Sequence, residues 1–173
     1  MNNHITRPEE DEYASFYHTY ISKVKADDLV EALTEGRDKV FELMKSIPED
    51  KYDYSYQEGK WTIKEVFVHH MDVERIFTYR ALRFSRNDQT AVPGFDEDQY
   101  IPESNTAARS MQSIIDEYLA LRQSTIEFFR NITEEMSHRT GIANGREISA
   151  RALGFIITGH ELHHINVIRE RYL

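Results

Sequence analysis

The apolar side chains of this sequence recur at three- and four-residue intervals in four long stretches, each predicting one amphipathic helix. The first carries Leu29, Leu33, Val40, Leu43, Met44 and Ile47, with Asp27 or Asp28 placed to cap its start and Pro48 just past its end. Gly36 interrupts it at a cost of about 1 kcal/mol relative to alanine. The second runs from Trp61 to about Arg86 on Ile63, Val66, Phe67, Val73, Ile76, Phe77, Ala81 and Phe84, with His69 and His70 in this face or at its edge. The third, from Ser104 to about Asn131, sets Met111, Ile114, Ile115, Tyr118, Leu121, Thr125, Phe128 and Phe129 in phase. The last starts at a capping Ser149 and reaches the C-terminus. Leu153, Ile157, His160, His164 and Ile168 form its stripe, broadened by Ile156 and Val167.

The intervening segments read as connections. Pro8 to Lys25, with Tyr13, Phe16, Tyr17, Tyr20 and Ile21, predicts a short amphipathic helix, and residues 1–10 are expected to be flexible. Tyr52 to Lys60 alternates aromatics but has no visible partner strand, so it reads as a loop. Asn87 to Asn105 holds Pro93, Gly94 and Pro102 and must be a long crossover; loops of that size are often functional. Thr133 to Glu147, with Gly141 and Gly145, reads as a turn region with a helical turn at its start. The expected architecture is an all-α four-helix bundle with a short extra N-terminal helix, one domain over residues 1–173.

Composition narrows the function classes. A formal charge of −9 argues against nucleic acid as a partner, since phosphate recognition needs a basic face. No apolar run approaches the roughly 20 residues of a membrane span. The residues Met1 to Pro8 lack the apolar core of a signal peptide, and cysteine is absent, so a cytoplasmic location is expected. Without cysteine there is no disulfide, no thiolate ligand and no sulfur nucleophile in the chain itself.

The chemistry gathers on Gly159-His160-Glu161-Leu162-His163-His164. Four-residue spacing stacks the imidazoles of His160 and His164 on one helical face, where two neutral nitrogens can converge on a divalent ion. The competing reading is a pair of core histidines satisfied by neighbouring side chains. His69 or His70 offers a third ligand from the facing helix, leaving one position open, as in catalytic sites. Imidazole ligation favours Zn²⁺, Ni²⁺, Cu²⁺ or Fe²⁺ over Mg²⁺ or Ca²⁺, and a bound water could then ionise at a pH of about 7. Glu161 and Asp72 are candidate proton acceptors, and Glu65 or Asp72 can fix the tautomer of a ligand. His70 and His163 read as partly exposed neighbours of the ligands. Arg80, Arg83 and Arg86 recur on one side of the second helix, where they can bind a substrate carboxylate or pair with nearby acids.

His160 to His164 also satisfies H-E-x-x-H, the zinc-peptidase motif. Only nine residues follow His164, and no sheet is expected to receive a peptide, which disfavours that reading. A di-iron bundle would need Glu135/His138 alongside Glu161/His164. His138 lies three residues before Gly141, too far out for mid-bundle ligation.

Trp61-Thr62-Ile63-Lys64-Glu65-Val66, followed by His69 and Asp72, resembles the W-[ST]-x-x-E-x-x-x-H-x-x-D signature of the DinB/YfiT-like superfamily. Ala81 to Phe84 and Pro93 to Asp98 resemble signatures that follow it in one branch, and His160 to His164 resembles the family's H-x-x-x-H helix. The resemblance implies a four-helix bundle, often a homodimer, with one divalent ion (Zn²⁺ or Ni²⁺) on His69, His160 and His164. It also implies a small-molecule substrate and either hydrolysis or transfer of a low-molecular-weight thiol cosubstrate. A metal-stabilised binding module without catalysis is the alternative.

Overall fold

The computed structural model describes residues 4–173. After short 3-10 turns at Glu10–Glu12 and Ser15–Tyr17, the α-helices follow in order: α1 (His18–Ile21), α2 (Leu29–Ser46), α3 (Ile63–Ser85), α4 (Glu97–Tyr100), α5 (Met111–Arg130), α6 (Glu134–His138) and α7 (Ala150–Arg171). Between the last two, β1 (Thr140–Ala143) pairs antiparallel with β2 (Arg146–Ser149). The four long helices form the bundle, α3 and α2 each packing against both α5 and α7. Each opens on a side-chain oxygen that accepts from an otherwise unpaired N–H of the first turn: Asp28 from Glu31, Thr62 from Glu65, Ser110 from Ser113, Ser149 from Ala152.

The core divides into two apolar clusters. One gathers Leu29, Leu33, Phe84, Phe129 and Phe155; the other gathers Met44, Phe67, Ile114 and Ile168. Every long helix contributes to both, and the changeover falls at Gly36, Glu74, Arg122 and Glu161. At that level the Arg122 guanidinium is wholly buried. It donates to Glu74 at 2.9 and 2.8 Å, to Glu161 at 3.0 and 2.8 Å, and to the Leu33 carbonyl at 3.3 Å. The Tyr118 hydroxyl completes the set, donating to Glu161 at 2.7 Å. A Cβ on Gly36 would stand 2.7 Å from a Glu161 carboxylate oxygen, so the glycine makes room for the charge cluster.

Several connections differ from expectation. Ile5 is completely buried, Thr6 bridges Asp28, and Arg7 donates to the carbonyls of Ile21 and Val24. Residues 5–8 are therefore pinned to the body rather than flexible, while Met1 to Asn3 lie outside the described residues. The expected short helix within Pro8 to Lys25 is the four-residue α1, packed against α7, and the rest of the segment is 3-10 turns and extended chain. The third long helix starts at Met111, not Ser104, since Ser110 supplies the cap. The turn region Thr133 to Glu147 contains α6 and the hairpin, whose tip Asn144-Gly145 adopts positive φ at both residues, as a tight two-residue turn requires. Val92 donates to the Ile142 carbonyl and accepts from the Asn144 N–H, so the hairpin anchors the start of the long crossover.

Replacing Arg122 with methionine strands two buried carboxylates, and denaturant unfolding should register a loss of about 3–5 kcal/mol. Tyr118→Phe, which removes one hydrogen bond from the cluster, should cost only about 1–2 kcal/mol. Equal midpoints for Arg122→Met and wild type would contradict the role assigned to the guanidinium.

Candidate metal centre

α3 and α7 lie side by side, and His69 on the first meets His160 and His164 on the second. The Nε2 atoms of His69 and His164 each approach the His160 Nε2 to 3.1 Å, and the three ligand atoms lie within 4.8 Å of one another. Among the described residues this is the one cluster of histidines and carboxylates with metal-binding geometry. His69 is 4 % exposed and packs against Trp61, their ring centroids 4.6 Å apart. α1 holds the opposite edge: Tyr20 meets His160 edge-on at 5.3 Å. That contact depends on Gly159, where a Cβ would fall 2.2 Å from the Tyr20 carbonyl oxygen.

Burial fixes the protonation state. Desolvation pulls the His69 pKa down to about 4 and that of His164 down to about 3, with neighbouring histidines adding to the latter. It likewise holds His160 well below the ordinary imidazole value. All three rings are neutral at pH 7, the form in which a ring nitrogen ligates a cation.

The other sequence candidates fall elsewhere. Glu161 projects from a different side of α7, both carboxylate oxygens taken by Arg122 and one also by Tyr118, so it is a core residue and not a base beside the triad. One residue along a helix is a turn of about 100°, and here it carries the carboxylate into the core. Asp72 faces a separate surface cleft with Arg75, Arg109 and Glu117. Glu65 accepts from the Thr62 N–H and hydroxyl in a capping box, so it orients no histidine. His70 is buried, not partly exposed. Neither of its nitrogens has a protein partner among the described residues, and its ring lies 4.9 Å from that of His164. His163 is partly exposed, against Tyr20.

A cavity of about 280 Å³ opens onto His69 and His160 beneath the crossover, with Tyr17, Phe77, Phe95, Arg80 and Glu97 among its walls. Among the described residues Glu97 is the one carboxylate lining it, positioned by the short α4 that Asp96 caps. By sequence Asp96-Glu97-Asp98 reads as solvated loop charge, with a cation site or a helix cap as alternatives; Asp96 does cap a helix, and Glu97 lines the cavity. A second cavity of similar volume reaches His164, with Tyr56, Trp61, Asp98 and Tyr172 in its walls.

Residues 32–168 match the family model described as the DinB superfamily. The "Putative metal-dependent hydrolase OB0413" of Oceanobacillus iheyensis is 24% identical over 155 residues, covering 85% of this chain and 87% of its own. The "Putative metal-dependent hydrolase YfiT" of Bacillus subtilis is 27% identical over 156 residues, covering 87% and 85%. The solved structure of YfiT, described as having an unusual four-helix bundle topology, superposes with a TM-score of 0.75 at 17% identity, covering 96% of this chain and 91% of that one. A mycothiol-dependent maleylpyruvate isomerase shares the fold at a TM-score of 0.65 and 12% identity, covering 87% and 61%. The histidine constellation on α3 and α7, the bundle that carries it and the match over most of its length lead to one assignment: the chain belongs to the DinB superfamily.

Proposed function

We propose that this protein is a metal-dependent hydrolase acting on a small molecule, with one divalent ion held by His69, His160 and His164. The observation that carries the reading is the convergence of three neutral, desolvated Nε2 atoms, with His69 and His160 in the wall of one cavity and His164 in the wall of a second. The donor set fits a borderline ion such as Zn²⁺ or Ni²⁺ and supplies three ligands, leaving a position open to the cavity. When bound, such an ion supplies Lewis acidity and lowers the pKa of a coordinated water to about 7. The residues of the chain do the rest. Trp61 and Tyr20 lock the imidazoles in place. Aromatic side chains wall the cavity, and Glu97 in the same walls can accept the proton released as water attacks.

Thiol transfer is the second reading, favoured by the cavity that reaches His164 and would give a cosubstrate its own room beside the triad. With no cysteine in the chain, the sulfur must arrive on a small molecule.

Metal analysis of tag-free protein should find about one ion per chain in wild type and markedly less in His160→Ala; equal contents would refute the site. Esters and amides, with and without low-molecular-weight thiols, separate the two reactions. Ester turnover without thiol, abolished in His164→Ala and reduced at least tenfold in Glu97→Gln, is expected, whereas turnover that requires a thiol would favour transfer.

A pH dependence follows for the ion-free protein. An unfolded imidazole titrates near 6.5, whereas folded His69 titrates near 4. Below 6.5 the unfolded chain therefore binds more protons, so stability present above that pH is lost as pH falls from 6.5 through about 4. Thermal melts of ion-free wild type should drop across this window more steeply than those of His69→Ala. Saturating Zn²⁺ should carry the drop to lower pH. Parallel profiles for wild type and His69→Ala would contradict the assigned burial.

A further inference from the structure

Arg80 is a buried guanidinium to which no carboxylate is paired among the described residues. It is 4 % exposed, and its hydrogen-bond partner is the carbonyl oxygen of Pro93, at 2.8 Å. Its neighbours Phe77 and Phe95 present rings with centroids 5.3 and 5.7 Å from the guanidinium carbon. Arg83, one turn on, is by contrast neutralised by Asp88 at 2.7 Å. Buried cations are ordinarily paired, and one that lines a cavity can take its counter-ion from a ligand.

The placement is specific. His69, Val73, Phe77 and Arg80 all line the same cavity from one face of α3. At 1.5 Å per residue, the backbones of His69 and Arg80 are separated by roughly 16 Å along the helix axis, with apolar side chains between them. The cavity is therefore polar at both ends and aromatic in the middle. Its positive end holds one guanidinium, Glu97 stands in the same walls, and the chain as a whole is acidic. That balance suits a singly charged carboxylate and disfavours a phosphate dianion.

We propose that Arg80 is a substrate-anchoring residue, binding the carboxylate of an elongated molecule whose apolar or aromatic body lies against Phe77 and Phe95. This rests on the hydrolase reading for which bond reacts at the histidine end; the anchoring itself does not need that reading. The substrate class is then an amphipathic monocarboxylate with its susceptible ester or amide at the end remote from the charge.

Binding tests it without turnover. Calorimetric titrations use the full chain stripped of metal by chelation, so that a carboxylate cannot ligate an ion, with 4-phenylbutyrate and its uncharged amide as probes. Wild type should bind the acid at least tenfold more tightly than the amide. Arg80→Met should abolish that preference while retaining weak binding of both, and Arg80→Lys should retain part of it. Should Arg80→Met fail to fold, the acid-to-amide ratio in wild type and Arg80→Lys still decides. Equal binding of acid and amide by wild type, or an unchanged ratio in a folded Arg80→Met, would show that Arg80 merely clamps the Pro93 carbonyl. Either result would leave metal content and ester turnover intact, so failure here is separable from failure of the hydrolase assignment.

Discussion

A charged side chain at the centre of the bundle sets the terms for everything around it. Burying the Arg122 guanidinium is tolerable only because Glu74 and Glu161 surround it, from α3 and α7, with the Leu33 carbonyl of α2 as a further acceptor. All four long helices thus meet in one polar layer, and their rotation about their own axes is fixed by it. An apolar core alone would accept several rotations, since methyl groups pack without direction. Two carboxylates around one cation also leave the layer with excess negative charge. Burial pushes Glu161 upward in pKa, with Glu74 adding to the effect and Arg122 opposing it.

The layer and the histidines are neighbours on the same two helices, and the pairing has a geometric logic. α7 turns Glu161 into the core and His160 toward the cavity, so the residue that holds the helix in register sits beside the residue that needs to be aimed. Gly36 and Gly159 serve this arrangement from outside, each admitting a group that any side chain would displace. The histidines are kept neutral by desolvation, and the bulk that desolvates them belongs to Trp61, Tyr20 and their apolar surroundings.

Much of this was legible in the sequence. The period of the apolar residues gave the four helices, Asp27 or Asp28 and Ser149 marked two starts, and the H-x-x-x-H spacing offered two members of the cluster; the choice of His69 over His70 came from the family resemblance, and the fold brings those three together. What escaped reading was side-chain direction. Glu161 and His160 are adjacent in sequence and face different surroundings, and no local signal separates a base from a counter-ion. His70 looked peripheral by the same one-residue offset and is buried. The hairpin was missed because its strands are four residues each, too short to display alternation, and the asparagine-glycine turn was absorbed into a loop. Arg80 and Arg83 read alike in the sequence, as arginines that bind a carboxylate or pair with acids, and only the fold, which gives Arg83 an Asp88 partner and Arg80 a cavity wall, separates them.

The anchoring of that crossover has a further consequence. At Val92 the chain is bonded to the hairpin, and at Ser110 it enters α5, so both ends of the span are moored to the scaffold. Between the moorings lie the roof residues Phe95 and Glu97, none of which belongs to a long helix. Floor and roof are thus separate parts of the fold: the histidines stand on α3 and α7, whereas Phe95 and Glu97 stand on a span held at its own two ends.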